Sequence, residues 1–141
     1  MNIAITGANG FLGQNLILRL SIKKKIKIFR ITRSTKKIEL EEILKKSKIL
    51  YHFAGVNRVK DKTFFSKDNI EYTNYICDFL SKNNKKCKII FTSSTQASNK
   101  TSYGKSKKEC EKIIIKHAKI NNYCQCDIYI NIRLLYIIQV F

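Results

Sequence analysis

Short apolar runs alternate along the chain with longer amphipathic segments. The runs show little polar alternation, which is typical of strands buried on both faces of a sheet. They lie at residues 2–6, 26–31, 49–53, 88–92 and 127–132. Apolar residues recur at helical spacing after residue 10 and within residues 36–46, 64–81 and 103–121. This order of elements predicts an α/β protein with one parallel, doubly wound sheet.

The chain is predicted to form a single domain over residues 1–141. Its regular part ends at residue 132, and residues 133–141 form a mostly apolar tail that matches no further element. Within the second predicted helix, we expect Ile38, Ile43 and Leu44 to face the core.

A glycine-rich loop joins the first predicted strand to the first helix with the spacing G-x-x-G-x-x-G. Gly7 permits a tight turn, Gly10 lets the backbone approach a pyrophosphate, and Gly13 lets the helix pack closely on the strand. Strand, loop and helix together predict a dinucleotide site in a Rossmann-type fold, although an ordinary strand-to-helix turn would need similar glycines. The predicted cofactor contacts in this loop are Gly7, Asn9, Gly10, Phe11, Leu12 and Gly13.

The second predicted strand ends in a basic and hydroxyl-rich segment that includes Arg33. In a dinucleotide fold the end of this strand meets the adenosine ribose, where an acidic residue bonds the 2′-hydroxyl of NAD. A cation with neighbouring hydroxyls suits a 2′-phosphate instead, so the sequence favours NADP(H) over NAD(H). The general basicity of the chain would produce the same local pattern.

Tyr103 and Lys107 lie four residues apart at the start of the last predicted helix and therefore on one face of it. A positive charge favours the phenolate form of a neighbouring tyrosine, so such a pair can act as a proton donor. In a chain so rich in lysine, a solvated helix face would show the same spacing. A hydroxyl-rich loop, residues 93–98, follows the fourth predicted strand at the end where open α/β sheets bind ligands.

The net charge of +18 admits a phosphate-bearing ligand, an anionic surface or nucleic acid. The lysines occur in every segment, whereas arginine is scarce and tryptophan is absent, which disfavours a dedicated nucleic-acid role. The sequence has no apolar stretch long enough to span a bilayer and no signal peptide, so we expect a cytoplasmic protein with no membrane partner. Its five cysteines have irregular spacing and are expected to be reduced, mostly buried thiols, with no metal site.

Four motifs in this order resemble the extended short-chain dehydrogenase/reductases, the NAD-dependent epimerase/dehydratase family. They are the loop at 6–13, the third-strand motif at 52–55, the hydroxyl run at 92–94 and the Tyr-x-x-x-Lys pair. The resemblance implies that Tyr103 is the general acid and that Lys107 holds the nicotinamide ribose. It implies that Ser94 bonds the substrate oxygen, with Ser93 as the alternative. It also adds Ala54 and Gly55 to the cofactor contacts, together with Tyr103 and Lys107.

Residues 54–58, 94–97 and 103–107 resemble more narrowly the reductases of UDP-linked keto sugars in capsular or O-antigen polysaccharide synthesis. This implies an NADPH-dependent reductase or epimerase of nucleotide sugars, and members of the family pair as homodimers. The family continues past Arg133 with an asparagine, a glycine and a long substrate-binding region, which this sequence lacks. We therefore expect a truncated cofactor domain. The alternatives are an inactive NADP-binding remnant and, less favoured, a basic nucleic-acid-binding module.

Overall fold

A computed structural model of the chain describes residues 1–57, 65–121 and 126–130. The strands are β1 (Asn2–Thr6), β2 (Lys27–Ile31), β3 (Ile49–His52), β4 (Lys88–Ser93) and β5 (Cys126–Ile130). The helices are α1 (Phe11–Ser21), α2 (Lys37–Lys46), α3 (Tyr72–Asn83) and α4 (Ser102–Ile120). A π-helical segment, Ser66–Glu71, leads into α3, and a short 3₁₀ helix, Thr95–Ser98, precedes α4.

All five strands are parallel and follow the order β2-β1-β3-β4-β5. This confirms the predicted doubly wound α/β class. The helix predicted at 64–81 corresponds to the π-helical segment and α3 together, and the other boundaries among the described residues differ by one or two residues. The tail at 133–141 lies outside the described residues. Because the strands are parallel, every strand-to-helix loop lies at one edge of the sheet and every helix-to-strand loop at the other.

The two faces of the sheet are covered by different helices. On one face α2, α3 and α4 pack against strand side chains such as Leu50 and Phe91. On the other face α1 packs against Ile5 and Tyr51. Both sets alternate along the same strands, so the continuous apolar runs serve two cores at once.

One predicted core position is wrong. Ile38 is 72% exposed, whereas Leu40 is buried with Ile43 and Leu44. Helix α2 begins at Lys37, so Ile38 falls in its first turn on the solvent side, and the inward stripe starts one turn later.

The side chains of three cysteines lie in the described part of the chain. Cys77, Cys87 and Cys110 are buried thiols, as predicted. Among the same residues, no set of three or more His, Cys, Asp or Glu side chains could hold a metal ion. In the described ranges no helix has the length and apolarity needed to cross a membrane.

Candidate cofactor and active site

The glycine loop turns sharply between β1 and α1 because Gly7 adopts a φ of +66°. A Cβ on Gly7 would lie 2.8 Å from the backbone nitrogen of Ala54, so the loop after β3 passes directly against it. The Gly10 N–H donates to the Gly7 carbonyl at 2.9 Å, and Gly10 is the N-cap of α1. A Cβ on Gly13 would collide with the Gly7 carbonyl and lie 2.8 Å from the Ala8 Cα, so the start of α1 packs closely on the turn that leaves β1.

A cleft of about 680 Å³ opens beside this loop at the carboxyl ends of β1, β2 and β3. Of the predicted cofactor contacts, six line it: Gly7, Asn9, Gly10, Arg33, Ala54 and Gly55. Phe11, Leu12 and Gly13 form the first turn of α1 instead, with the Phe11 side chain exposed. The cleft is therefore bounded by backbone on the glycine side and by polar side chains at its mouth.

Arg33 stands at the mouth of the cleft, immediately past β2. Its side chain is 86% exposed, and its Nη2 lies 3.5 Å from Oδ2 of Asp68 in the π-helical segment. Asp68 and Lys67 line the same cleft, although no sequence motif marks them. A cation and a carboxylate thus face each other where a bound nucleotide would enter.

A chain of buried hydrogen bonds fixes the loop after β3. The Thr6 hydroxyl lies 2.7 Å from Nδ1 of His52 and accepts from the Ala54 N–H at 3.1 Å. On the other side, Nε2 of His52 lies 3.0 Å from the hydroxyl of Thr73, which donates to the Asn69 carbonyl. Burial, with a smaller contribution from the Lys107 charge, lowers the pKa of His52 to about 3. The neutral ring therefore has a structural role, linking β1 to α3.

Asn69 ties this loop to α4. Its Oδ1 accepts from the Val56 N–H at 2.8 Å, while its Nδ2 donates to the Val56 carbonyl and to the hydroxyl of Ser106, both at 3.1 Å. Apolar periodicity gave no signal for this buried amide, because it lies in a π-helical turn whose spacing departs from the α-helical pattern.

Lys107 is the one lysine that the described part of the chain buries, with 5% of its surface exposed. Its Nζ lies 4.2 Å from the centre of the Phe91 ring and would be 3.9 Å from a Cβ on Gly55. None of the ion pairs among the described residues includes it. Burial lowers the pKa of Lys107 to about 8, although Cys110 and Glu111 oppose the shift. The ammonium therefore lies beside the cleft, and no carboxylate among the described residues forms an ion pair with it.

Tyr103 lies one turn before Lys107 on α4, half-buried, with its ring centre 5.9 Å from that of Phe65. Helix α4 begins at a Thr101 N-cap, whose hydroxyl accepts from the Gly104 N–H at 3.0 Å. A Cβ on Gly104 would collide with the carbonyl of Gln96, so the helix start can pack on the 3₁₀ segment only because this residue is glycine.

The two candidate serines have different surroundings. Ser93 is buried at the end of β4 and its hydroxyl donates to the Glu111 carboxylate, which Lys108 also contacts. Ser94 accepts a hydrogen bond from the Gln96 N–H at 3.2 Å. Its own hydroxyl proton is therefore free to point elsewhere, whereas that of Ser93 is used within the fold.

Residues 3–126 match the NAD dependent epimerase/dehydratase family. The glycine loop, the β3 loop and the Tyr-x-x-x-Lys helix all lie within this match. Because the match covers most of the chain, the protein belongs to that family.

Two relatives within this class of protein are more than 30% identical to the chain. A UDP-2-acetamido-2,6-beta-L-arabino-hexul-4-ose reductase of Pseudomonas aeruginosa is 34% identical over 111 residues, 79% of this chain and 30% of the relative. The capsular polysaccharide assembling protein CapF of Staphylococcus aureus is 38% identical, with a TM-score of 0.75 over 92% of this chain and 33% of that one.

A UDP-glucuronic acid 4-epimerase of Bacillus cereus, solved with NAD, has a TM-score of 0.76 at 18% identity, which shows the shared fold alone. It is covered over 55% of its length by 92% of this chain. The protein thus spans about a third of the length of the two relatives with higher identity.

Proposed function

We propose that this chain supplies the cofactor site and the proton donor of a cytoplasmic, NADP(H)-dependent reductase or epimerase of UDP-linked sugars in surface polysaccharide synthesis. The observation that carries the proposal is the placement of Lys107. Burying an ammonium that pairs with no carboxylate of the described residues is unfavourable. Its position beside Gly55 and one turn from Tyr103 supports a functional role for it.

The cleft suits a dinucleotide because its glycine side is free of side chains. A Cβ on Gly10 would meet one atom within 4 Å, the Gly7 carbonyl at 3.2 Å, so the space over the loop is open. The N–H groups at the start of α1, from Phe11 to Gly13, are unpaired within the helix and would face the pyrophosphate. Ala54 and Gly55 would border the nicotinamide half.

When bound, NADPH supplies the hydride that reduces a sugar ketone at its carbonyl carbon. The Tyr103 hydroxyl donates a proton to the carbonyl oxygen, so that the ketone becomes an alcohol. The Ser94 hydroxyl donates a hydrogen bond to the same oxygen, and it is preferred to Ser93 because Ser93 already donates to Glu111. The Lys107 ammonium, which has three N–H donors, would hold the nicotinamide ribose by hydrogen bonds.

The preference for NADP(H) rests on Arg33. Its guanidinium lies at the cleft mouth past β2 and can form charge-assisted bonds to a 2′-phosphate. Asp68 faces it, so a 2′-phosphate would have to take the place of this carboxylate as the partner of Arg33.

Because the chain spans about a third of these two relatives, turnover by this chain alone is part of the proposal. Purified protein should bind NADPH, detected by nicotinamide fluorescence and by a thermal shift. It should then oxidise NADPH when a UDP-linked 4-keto sugar is added. Binding without oxidation would indicate the inactive remnant, and no binding would refute the proposal.

Tyr103→Phe is the matched test of the proton donor. Removing the hydroxyl should lower turnover about 10²–10⁴-fold, the usual contribution of a general acid, while NADPH affinity stays within about twofold. Equal turnover by Tyr103→Phe and the unmodified protein would show that another group donates the proton.

A further inference from the structure

The lysines are not spread evenly over the folded chain. Ten of the 23 lysines fall in three segments, residues 22–27, 45–48 and 84–88, which together are 15 residues long and hold no acidic residue. These segments lead into β2, β3 and β4, so the parallel sheet places all three at the edge opposite the cofactor cleft. We call the three segments the basic edge.

Backbone hydrogen bonds align the basic edge across the sheet. The N–H of Lys27 donates to the Met1 carbonyl, and the N–H of Lys48 to the Asn2 carbonyl, both at 2.9 Å. The N–H of Lys88 donates to the Lys48 carbonyl at 2.9 Å. Neighbouring strands are about 4.8 Å apart, so the segments before β3 and β4 lie side by side. The segment before β2 lies two strand spacings from the segment before β3, on the other side of the start of β1. The lysines of the three segments therefore form a band along this edge.

The band keeps most of its charge at the surface. Nine of the ten lysines are exposed; Lys88 is half-buried. Lys45 pairs with Glu42 and Lys88 with Asp127, which offsets part of the charge. Lys27 and Lys46 instead share one ring, with their Nζ atoms 5.4 and 4.7 Å from the centre of Phe29. Two ammonium groups from different segments of the basic edge thus contact the same aromatic ring.

Helix geometry explains only a minority of these lysines. Lys45 and Lys46 lie in the last turn of α2, where cations interact favourably with the helix dipole. The other eight lie beyond the helix ends, in turns or at strand starts, where the dipole effect has faded.

Exposed aliphatic side chains border the band. Leu18 and Ile22, four residues apart at the end of α1, are 70% and 79% exposed, and Ile22 directly precedes the first lysines. Nucleic-acid readers use arginine and aromatic side chains, and the basic edge contains neither. Lysines beside exposed aliphatic groups are suited to the headgroup layer of an anionic bilayer.

We propose that the basic edge docks this protein on the surface of an anionic lipid bilayer, with the cofactor cleft facing away from the membrane. This is surface association, and it revises the expectation of no membrane partner, which considered spanning segments alone. It does not depend on the cofactor or on turnover.

The test uses the full chain and vesicles of phosphatidylcholine with about one-third phosphatidylglycerol, the range in which each lysine near the surface contributes about fivefold to binding. The variant Lys24→Gln/Lys48→Gln/Lys86→Gln removes one lysine from each segment. Its binding should be roughly a hundredfold weaker, because three such contributions multiply. The control Lys37→Gln/Lys108→Gln/Lys112→Gln removes the same charge from the exposed faces of α2 and α4 and should bind within about threefold of the unmodified protein.

A second pair of substitutions separates lipid from other polyanions. Leu18→Gln/Ile22→Gln should weaken vesicle binding several-fold. The same change should leave the affinity measured for single-stranded DNA unaltered. Circular dichroism and NADPH affinity check that each variant is folded. The proposal would be overturned if the two lysine variants lost equal affinity for vesicles, or if the unmodified protein did not bind vesicles. It would also be overturned if the protein bound DNA more tightly than vesicles and the Leu18 and Ile22 changes had no effect.

Discussion

The two edges of the sheet use lysine in opposite ways. At the carboxyl ends of the strands one lysine, Lys107, is buried against Phe91 beside a cleft of glycines and hydroxyls. At the amino ends ten lysines lie in turns, in the last turn of α2 and at strand starts, and nine of them are exposed. Burial, and not the number of charges, therefore decides what a lysine contributes. A desolvated ammonium is destabilising and chemically useful, whereas hydrated ones act together as a diffuse field.

The largest change in stability is expected from a substitution in the glycine loop, at the carboxyl ends of the strands. Gly7→Ala must place a Cβ at a φ of +66° and 2.8 Å from the Ala54 nitrogen. Strain and collision together should lower the free energy of unfolding by about 3 kcal/mol or more. Chemical denaturation measures this change.

Gly10→Ala is the control, because its Cβ would meet only the Gly7 carbonyl at 3.2 Å. It should cost about 1 kcal/mol or less in stability and still weaken NADPH binding. If both variants lose equal stability, then Gly7 is not specifically required for the contact between the glycine loop and the loop after β3.

The next substitution, at Lys107, is expected to increase the free energy of unfolding. Burial lowers the pKa of Lys107 to about 8 in the folded protein, below the ordinary value of 10.5. Between these pH values the unfolded chain binds more protons, so the stability of the unmodified protein should rise with pH across this window. Lys107→Met should raise the free energy of unfolding at pH 7 by about 1–3 kcal/mol and remove that rise.

Lys105→Met is the matched control for that experiment. Lys105 lies on the same helix but is exposed, so its replacement should change stability by less than about 0.5 kcal/mol at any pH. A stability loss in Lys107→Met would show that the ammonium is held by favourable contacts and is not costly.

Cofactor choice gives a smaller effect at the same edge. Arg33→Ala should weaken NADPH binding about tenfold, the value of one charge-assisted bond, with little change for NADH. Asp68→Asn removes the carboxylate that competes for Arg33 and should strengthen NADPH binding a few-fold. Titration calorimetry with both cofactors measures the ratio, and equal losses for NADPH and NADH in Arg33→Ala would remove the basis for the NADP preference.

The smallest effect belongs to the basic edge. Lys24→Gln/Lys48→Gln/Lys86→Gln relieves repulsion among hydrated charges, so it should raise the free energy of unfolding by no more than about 0.5 kcal/mol at low salt. The gain should disappear near 1 M salt, where the screening length is about 3 Å. A gain as large as that of Lys107→Met would contradict the contrast between the edges.

The order of elements could be predicted because continuous apolar runs and helical spacing are local signals. The glycine loop predicted a dinucleotide site because it lies between β1 and α1. The position of Arg33 at the cleft could be predicted because it directly follows β2. These inferences need only the neighbours of each residue in the chain and the rule that parallel strands place their carboxyl ends together.

What could not be predicted depends on side chains that meet across the fold. Asn69 joins the β3 loop to α4, and Asp68 reaches Arg33 from a segment with π-helical spacing. The basic edge was hidden for the same reason, since its three segments are about 20 to 40 residues apart in the sequence and adjacent only in the sheet. The prediction that Ile38 faces the core was wrong because apolar spacing does not show where the first turn of α2 begins, and Ile38 lies in that turn on the solvent side.

The most direct test of the account is titration of the unmodified protein with NADPH at pH 7 and again above pH 9. The account predicts saturable binding of one NADPH per chain at pH 7, and weaker binding at the higher pH because Lys107 loses its charge above about 8. No saturable binding at pH 7 up to about 1 mM, the upper end of ordinary KM values, would contradict it.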